Sequence, residues 1–422
     1  MPGHHAPVRT ARPHSQVLES RHHQPRLRHS SCNHPCESAV HPTDSHRLHA
    51  HLIDRQGSRG LLNTPALVLD LEMLERNIAA MASFARDSRI SLRPHSKTHK
   101  SPEIARRQIA AGALGNCCAK LGEAEAMVDA GIGGLLITSP VVSAPGIERL
   151  VALAARSPDL MVTADHPDNV AALARAAATT GVVLSVVVDI DPGLHRTGVA
   201  SPEATVALAR QIAAQPSLRY AGVQFYCGRH QHIESYAQRR DEITERTAYL
   251  KGIVEQLTAA GLKPGIVTGG GTGTHAIDAA LGVFTELQVG SYVFMDHQYN
   301  VCDLRGDGGL PFEQALQIDA RVVSANTPGM ATIDSGLKSM ATEAGAPPIL
   351  AGVPEGTSFR FAGDEHARIT FPDGASGPGI DAVVTLVPPH CDPTVNLYDA
   401  YHVVKGHTLV DIWPIAGRGR SR

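Results

Sequence analysis

Eight short apolar runs, separated by alanine-rich stretches, follow one another between residues 90 and 290. Each run has the length of a strand, and the stretches between them repeat apolar side chains every three or four residues, as amphipathic helices do. This alternation predicts an α/β fold with a parallel sheet. Because eight nearly even βα units favour closure over an open doubly wound sheet, we predict a (β/α)8 TIM barrel. The runs are ISLRP, GNCCA, GLLIT, LMVTA, VVLSVVVDI, YAGVQFY, PGIVTGG and ELQVG.

The chain changes character on both sides of this region. Residues 1–51 contain 11 of the 23 histidines and show no apolar periodicity, so we predict a disordered arm over residues 1–60. The predicted barrel domain covers residues 64–310. Residues 311–422 carry strand-like runs with turn residues between them, which predicts a C-terminal antiparallel β-rich domain.

Four metal-binding side chain types occur close together in the predicted arm. They are His29, Cys32, His34 and Cys36. Their spacing fits no closed zinc module, so a flexible arm is the favoured interpretation and a soft-metal site the alternative.

Composition excludes several classes of partner and location. The formal net charge of −3 lacks the basic footprint of a nucleic-acid-binding protein. No run approaches the roughly 20 apolar residues that cross a bilayer. The seven cysteines are odd in number and form no disulfide framework, which favours reduced thiols and a cytoplasmic location.

Five basic side chains crowd the segment RPHSKTHKSPE, residues 93–103, directly after the first barrel run. Lys97 lies in the loop before a helix whose predicted cap is Ser101, and catalytic side chains of barrels project from such loops. Nearby cations are expected to disfavour the protonated amine and free it for imine formation. A solvated basic loop is the alternative.

Two later loops have the composition of a phosphate site. The run VTGGGTGTH, residues 267–275, follows the seventh strand, and consecutive glycines let backbone N–H groups surround an anion. The eighth strand leads to Gly290, with Ser291 and Tyr292 as further donors. Barrels commonly bind phosphate with the loops after strands seven and eight, although a flexible turn is the alternative.

A phosphate site opposite a reactive lysine points to pyridoxal 5'-phosphate, which needs an anion anchor and an imine-forming amine. Arg196, in the loop after the fifth barrel run, could reach the phenolic oxygen of that cofactor, or form a salt bridge instead.

The segment PPHCDPTVNLYD, residues 388–399, is a candidate metal motif. On an extended strand, His390 and Asp392 would point to one face and Cys391 to the other. An imidazole and a carboxylate suit Mn²⁺, Mg²⁺ or Zn²⁺. Hydrogen bonding within a turn is the alternative.

Taken together, these motifs resemble the D-threonine aldolase and D-serine dehydratase group, fold-type III pyridoxal-phosphate enzymes with an alanine racemase-like barrel. The resemblance runs from Thr64 to Arg422. It is carried by TPALVLDL, RPHSKTHKSPEIA, CCAKLGEAEAM, VDIDPGLHRTGV, TGGGTGT, ELQVGSYVFMD, IDSGLKS, DEH and HCDPTVNLYD.

The resemblance implies a role for each matching position. Lys97 would carry the imine to the cofactor, with Arg196 beside its phenolic oxygen and Tyr226 near its ring. His390 and Asp392 would bind the divalent metal. A homodimer with shared active sites is implied as well. The implied phosphate-binding residues are Gly270, Gly271, Thr272, Gly290 and Ser291.

The implied activity is metal-dependent cleavage of D-β-hydroxy-α-amino acids, for example of D-threonine to glycine and acetaldehyde. A D-3-hydroxyaspartate aldolase and a D-serine dehydratase are the alternatives. Family dehydratases carry cysteine two residues after the metal histidine, whereas this chain has Asp392, which favours an aldolase. A non-catalytic pyridoxal-phosphate carrier is disfavoured because such carriers lack a C-terminal β-rich domain.

Overall fold

The structure, a computed structural model, describes residues 43–422. Its strands are β1 Ala66–Asp70, β2 Ser91–Leu92, β3 Cys117–Cys118, β4 Leu136–Ile137, β5 Met161–Ala164, β6 Leu184–Asp189, β7 Leu218–Phe225, β8 Ile266–Gly269, β9 Glu286–Leu287, β10 Leu316–Ser324, β11 Met330–Ile333, β12 Ile349–Ala351, β13 Ser358–Phe361, β14 Ala367–Thr370, β15 Val383–Leu386, β16 Ala400–Lys405 and β17 Thr408–Pro414. Its α-helices are α1 Asp44–His49, α2 Leu71–Asp87, α3 Pro102–Ala110, α4 Leu121–Asp129, α5 Ala144–Arg156, α6 Pro167–Thr180, α7 Pro202–Ala213, α8 Tyr236–Ala259, α9 His275–Leu281, α10 His297–Asn300 and α11 Cys391–Val395.

Strands β2 to β9 form the predicted barrel. They pair in parallel in the order β2-β9-β8-β7-β6-β5-β4-β3, and a parallel bridge between His95 and Cys117 joins the two ends. Seven of the eight strands lie within their apolar runs, and β7 begins two residues before its run, so the predicted fold class is confirmed. The closed sheet brings the loops after β2, β6, β7, β8 and β9 to one end of the barrel.

The second sheet contains the strands that follow the barrel and also β1. Strand β1 lies between β10, which is antiparallel to it, and β16, which is parallel. All five residues of β1 are buried, which explains its continuous apolar run. The antiparallel prediction is confirmed for the other pairings, but β12, β13 and β14 were not predicted.

Residues 44–61 are ordered, in contrast to the disorder predicted up to residue 60. They form α1 and two 3-10 turns, Ala50–Leu52 and Ser58–Leu61. Leu52 is buried against strands of the second sheet, and this apolar contact compensates for the polar composition around it. The arm cysteines and histidines proposed as a soft-metal site lie outside the described residues.

No helix within residues 43–422 combines the length and the apolar character needed to cross a membrane.

Candidate active site

Lys97 lies in the loop after β2, and two buried imidazoles hold that loop in place. The N–H of Lys97 donates to Nδ1 of His95, and the N–H of Ser101 donates to Nδ1 of His99. Both rings therefore carry their proton on Nε2, and Nε2 of His95 lies 3.1 Å from the Thr138 hydroxyl. Burial lowers the pKa of His99 to about 4, so that ring is neutral at pH 7. Ser101 makes no side-chain cap, contrary to the sequence prediction.

The two other cations of this segment are neutralised by buried partners. Nε of Arg93 lies 2.9 Å from a carboxylate oxygen of Glu286 in β9. Lys100 pairs in the same way with Glu123 in α4. The prediction that Arg93 and Lys100 tune Lys97 by repulsion is therefore wrong, because each positive charge has its own carboxylate.

The amine of Lys97 pairs with the carboxylate of Asp392, which belongs to the C-terminal motif 295 residues along the chain. Burial lowers the pKa of Lys97, but the charge and hydrogen bond of Asp392, together with nearby Tyr226 and Cys391, more than offset it, and the net shift is upward. Burial raises the pKa of Asp392, yet Lys97 and His390 hold it well below its usual range. The depressed lysine pKa predicted from the sequence is therefore wrong.

The candidate metal motif is helical where an extended strand was expected. Its residues Cys391–Val395 form α11, and His390 precedes the first residue of that helix. His390 and Asp392 are still close in the chain, on either side of Cys391 at the start of α11. The premise of alternating strand faces is wrong, but the two candidate ligands stay together.

Glu343 orients His390 and was missed by sequence reasoning. Its carboxylate lies 2.7 Å from Nδ1 of His390, which fixes the ring proton on Nδ1 and leaves the Nε2 lone pair free. Metal-binding histidines are usually oriented by such a carboxylate, so the donor set fits a divalent ion. Within residues 43–422, no group of three or more His, Cys, Asp or Glu side chains is placed to hold a metal ion.

A cavity of about 500 Å³ opens beside Lys97 at the barrel end. Arg196 and Tyr226, both predicted to contact the cofactor, line it, and the Arg196 guanidinium lies 6.0 Å from the centre of the Tyr226 ring. Lys120 also lines the cavity and forms no ion pair within residues 43–422. The structure thus brings Lys97, Arg196 and Tyr226 to one cavity.

The loop after β9 contacts both the Lys97 loop and the glycine loop. A Cβ atom at Gly290 would lie 2.6 Å from the hydroxyl of Thr98, so only glycine fits there. The N–H of Tyr292 donates to the hydroxyl of Thr272, which joins the two predicted phosphate loops. The Tyr292 hydroxyl, a predicted phosphate donor, accepts a hydrogen bond from the buried Gln108 side chain.

The glycine loop is closely supported from behind. Gln231 is fully buried, and its amide oxygen accepts the N–H of Gly273. A Cβ at Gly271 would lie 2.5 Å from that amide oxygen. Gly270 has a φ of +66°, which favours glycine. Ser291 starts a short turn after Gly290. These closely packed glycines, with Gly290 against the loop that carries Lys97, fit a phosphate-bearing cofactor.

Asp278, in α9, is a buried carboxylate at the base of this loop. The hydroxyl of Thr274 donates to it over 2.5 Å, and sequence reasoning did not identify it. Burial raises the pKa of Asp278 to about 7, and the Thr274 hydrogen bond only partly offsets this. The folded protein therefore retains the proton of Asp278 to a higher pH than the unfolded chain does.

Replacement of Asp278 by asparagine is expected to remove a pH-dependent loss of stability. The raised pKa means that wild-type stability from this group is complete below about pH 4 and is lost as the pH rises through about 7. As the pH rises from 5 to 8, the free energy of unfolding of the wild type should fall by about 3 kcal/mol relative to that of Asp278→Asn. Urea unfolding at several pH values measures this difference. Asp373→Asn, at an exposed site, is the control, and parallel pH curves for wild type and Asp278→Asn would contradict the prediction.

Comparison with known proteins shows which families this chain resembles. Residues 69–298 match the family model for the alanine racemase N-terminal domain, and residues 315–404 match the putative serine dehydratase domain. A D-threonine aldolase from Arthrobacter sp. is 40% identical over 361 residues, which cover 86% of this chain and 94% of the relative. A 3-hydroxy-D-aspartate aldolase from Paracoccus denitrificans is 37% identical over 85% of this chain and 93% of its own length.

Solved structures show the same relationship. The crystal structure of D-threonine aldolase from Filomicrobium marinum superposes with a TM-score of 0.82 at 36% identity, and the match covers 85% of this chain and 97% of that one. The two matched domains and the relatives of nearly full length confirm the resemblance seen in the sequence. The chain therefore belongs to the D-threonine aldolase and D-serine dehydratase-like family of fold-type III pyridoxal-phosphate enzymes, whose relatives named here are lyases.

Proposed function

We propose that the protein is a pyridoxal-phosphate- and divalent-metal-dependent aldolase that cleaves D-β-hydroxy-α-amino acids, with D-threonine as the first candidate substrate. The observation that carries the proposal is the ion pair between Lys97 and Asp392. It brings the candidate cofactor lysine of the barrel against the candidate metal motif of the second domain. An aldolase of this kind needs both groups at one substrate.

Lys97 would hold the cofactor through its amine, with Arg196 and Tyr226 lining the same cavity and the glycine loop near the phosphate. When bound, pyridoxal phosphate supplies a ring that accepts the electron pair released at the substrate Cα. Residues Gly270, Gly271, Thr272, Gly290 and Ser291 would bind the phosphate. The cavity walls orient the substrate and separate it from bulk water.

His390 and Asp392 would hold the divalent ion, which supplies Lewis-acid chemistry to a substrate oxygen. Glu343 keeps the Nε2 lone pair of His390 available for that ion. The oxygen donor of Asp392 suits Mn²⁺ or Mg²⁺ better than a thiolate would. This carboxylate, in place of the cysteine of the dehydratases, supports the aldolase over the dehydratase.

Lys120 supports 3-hydroxy-D-aspartate as a second candidate substrate. It is a cation at the cavity wall without an ion-pair partner among residues 43–422, and an acidic substituent on the substrate would supply one. A dicarboxylic substrate would then exceed D-threonine in kcat/KM.

A substrate panel tests the proposal. Protein reconstituted with pyridoxal phosphate, then treated with chelator, is assayed with and without Mn²⁺ on D-threonine, L-threonine, 3-hydroxy-D-aspartate and D-serine. We expect metal-dependent release of aldehyde and glycine from the D-β-hydroxy substrates, and none from L-threonine. Release of ammonia and a keto acid in place of an aldehyde would instead show a dehydratase. No turnover of any substrate would indicate a carrier.

The proposal includes a homodimer and a cytoplasmic location. The dimer is supported by the family resemblance, and light scattering of the purified protein tests it. The location is supported by the five cysteines within residues 43–422, which are all free thiols.

A further inference from the structure

Asp296 is a buried carboxylate that takes no part in the chemistry described above. It follows the phosphate loop of β9 and its side chain is fully buried. We propose that Asp296 is a positioning residue for the metal ligands His390 and Asp392, acting through the backbone between them. This inference rests on the proposed metal site.

Both oxygens of Asp296 accept backbone N–H groups, one near in sequence and one distant. Oδ1 accepts the N–H of Tyr299 over 3.1 Å and so caps α10. Oδ2 accepts the N–H of Cys391 over 2.8 Å. Cys391 lies 95 residues along the chain, and in sequence it stands between the two candidate ligands.

The Cys391 contact is more than helix capping requires. A cap for α10 uses only Oδ1, and an asparagine or serine would serve equally there. The second oxygen instead accepts the N–H of Cys391, the first residue of α11. The N-cap residue of that helix, His390, makes no side-chain capping bond. Through that one N–H, Asp296 fixes the peptide plane that joins His390 to Cys391, one residue before Asp392.

Neighbouring contacts bind the same two segments together. The N–H of His297 donates to the carbonyl of Pro388 over 3.1 Å, and the N–H of Gln298 donates to that of Pro389 over 3.3 Å. The hydroxyl of Thr394 donates to the carbonyl of His390 over 2.7 Å. The first two bonds join the two segments, the third stabilises the start of α11, and Asp296 adds the contact to the backbone of the residue between the ligands.

Asparagine is the informative substitution at this position. It keeps the size of the side chain but has one acceptor oxygen, so one of the two N–H groups would face an NH₂ donor. Groups that orient metal ligands from outside typically contribute 10- to 100-fold to metal affinity. Asp296→Asn should therefore weaken Mn²⁺ binding by roughly 10- to 100-fold.

The test measures Mn²⁺ affinity directly, by electron paramagnetic resonance of free Mn²⁺ in titrations of the full-length protein with pyridoxal phosphate bound. The borohydride-trapped cofactor adduct should stay at the wild-type level in Asp296→Asn. Excess Mn²⁺ should restore kcat, since only the affinity is reduced. Asp70→Asn is the matched control. Asp70 is also buried and caps a helix, α2, but its carboxylate accepts the N–H of Met73 and not an N–H of the metal motif.

Three results would overturn the inference. Mn²⁺ affinity of Asp296→Asn within twofold of wild type, in an experiment where Asp392→Ala abolishes binding, overturns it and leaves the proposed metal site intact. An equal loss in Asp70→Asn would show a general effect of losing a buried cap. Failure of the wild type to bind Mn²⁺ would remove both this inference and the proposed metal dependence. Should Asp296→Asn not fold, Asp296→Glu replaces it. Its longer side chain moves both acceptor oxygens away from their N–H partners, so Mn²⁺ affinity should again fall, and an affinity within twofold of wild type would overturn the inference.

Discussion

Protein in which Lys97 is replaced by alanine should form no covalent adduct with pyridoxal phosphate. The reason is positional, since the Lys97 amine opens onto the cavity of about 500 Å³ that Arg196 and Tyr226 line. Loss of a covalently acting group typically costs at least about 10³-fold in turnover. We expect a loss of this size, together with the absence of a borohydride-trappable product, measured by mass spectrometry of the reduced protein.

Lys120→Ala is the matched control for the site of the adduct. Lys120 lines the same cavity, and its removal should leave the trapped adduct on the peptide that contains Lys97. An adduct that persists in Lys97→Ala and disappears in Lys120→Ala would reassign the cofactor lysine. An adduct absent from wild-type protein at excess cofactor would contradict the whole proposal.

Replacement of Asp392 by alanine should abolish metal-dependent turnover and leave the cofactor adduct in place. A Lewis-acidic ion supplies several kcal/mol of stabilisation to a developing charge, so removal of one of its two protein ligands is expected to lower kcat/KM by about 10³-fold. Initial rates over a Mn²⁺ titration measure the loss, and the trapped adduct provides the folding control.

Two outcomes would refute the expectation for Asp392. Full activity of Asp392→Ala in chelator-treated protein would remove the metal from the mechanism. Loss of the adduct as well as of turnover would show that the carboxylate acts mainly by holding Lys97, to which it is paired. Asp373→Asn, at an exposed position, should match the wild type in both assays.

The sequence predicted the barrel well because its strands carry a local signal. Strand β6, for example, is buried along all six residues, and four of them are apolar. No local sequence pattern indicates which sheet a strand will join. Strand β1 looks like the start of the barrel, yet its partners β10 and β16 lie about 250 and 330 residues away in sequence, beyond any pattern-based argument.

The sequence predicted which side chains lie close together more successfully than it predicted the charges around them. Lys97, Arg196 and Tyr226 meet at one cavity, and Lys97 meets Asp392. The charges near Lys97 were misjudged because the partners of Arg93 and Lys100, Glu286 and Glu123, are brought to them only by the closure of the barrel. Glu343 shows the same limit, since it lies 47 residues before His390 and belongs to no motif.

The central position of β1 has a consequence for how this protein is made. A ribosome that has just completed the barrel has released an apolar strand near the front of the chain whose neighbour β16 does not yet exist. During that interval β1 presents two unpaired edges, so it is open to wrong partners or to chaperones until the last part of the message is translated. Premature termination before residue 400 should therefore yield aggregates, even though every residue of the barrel itself has been synthesised.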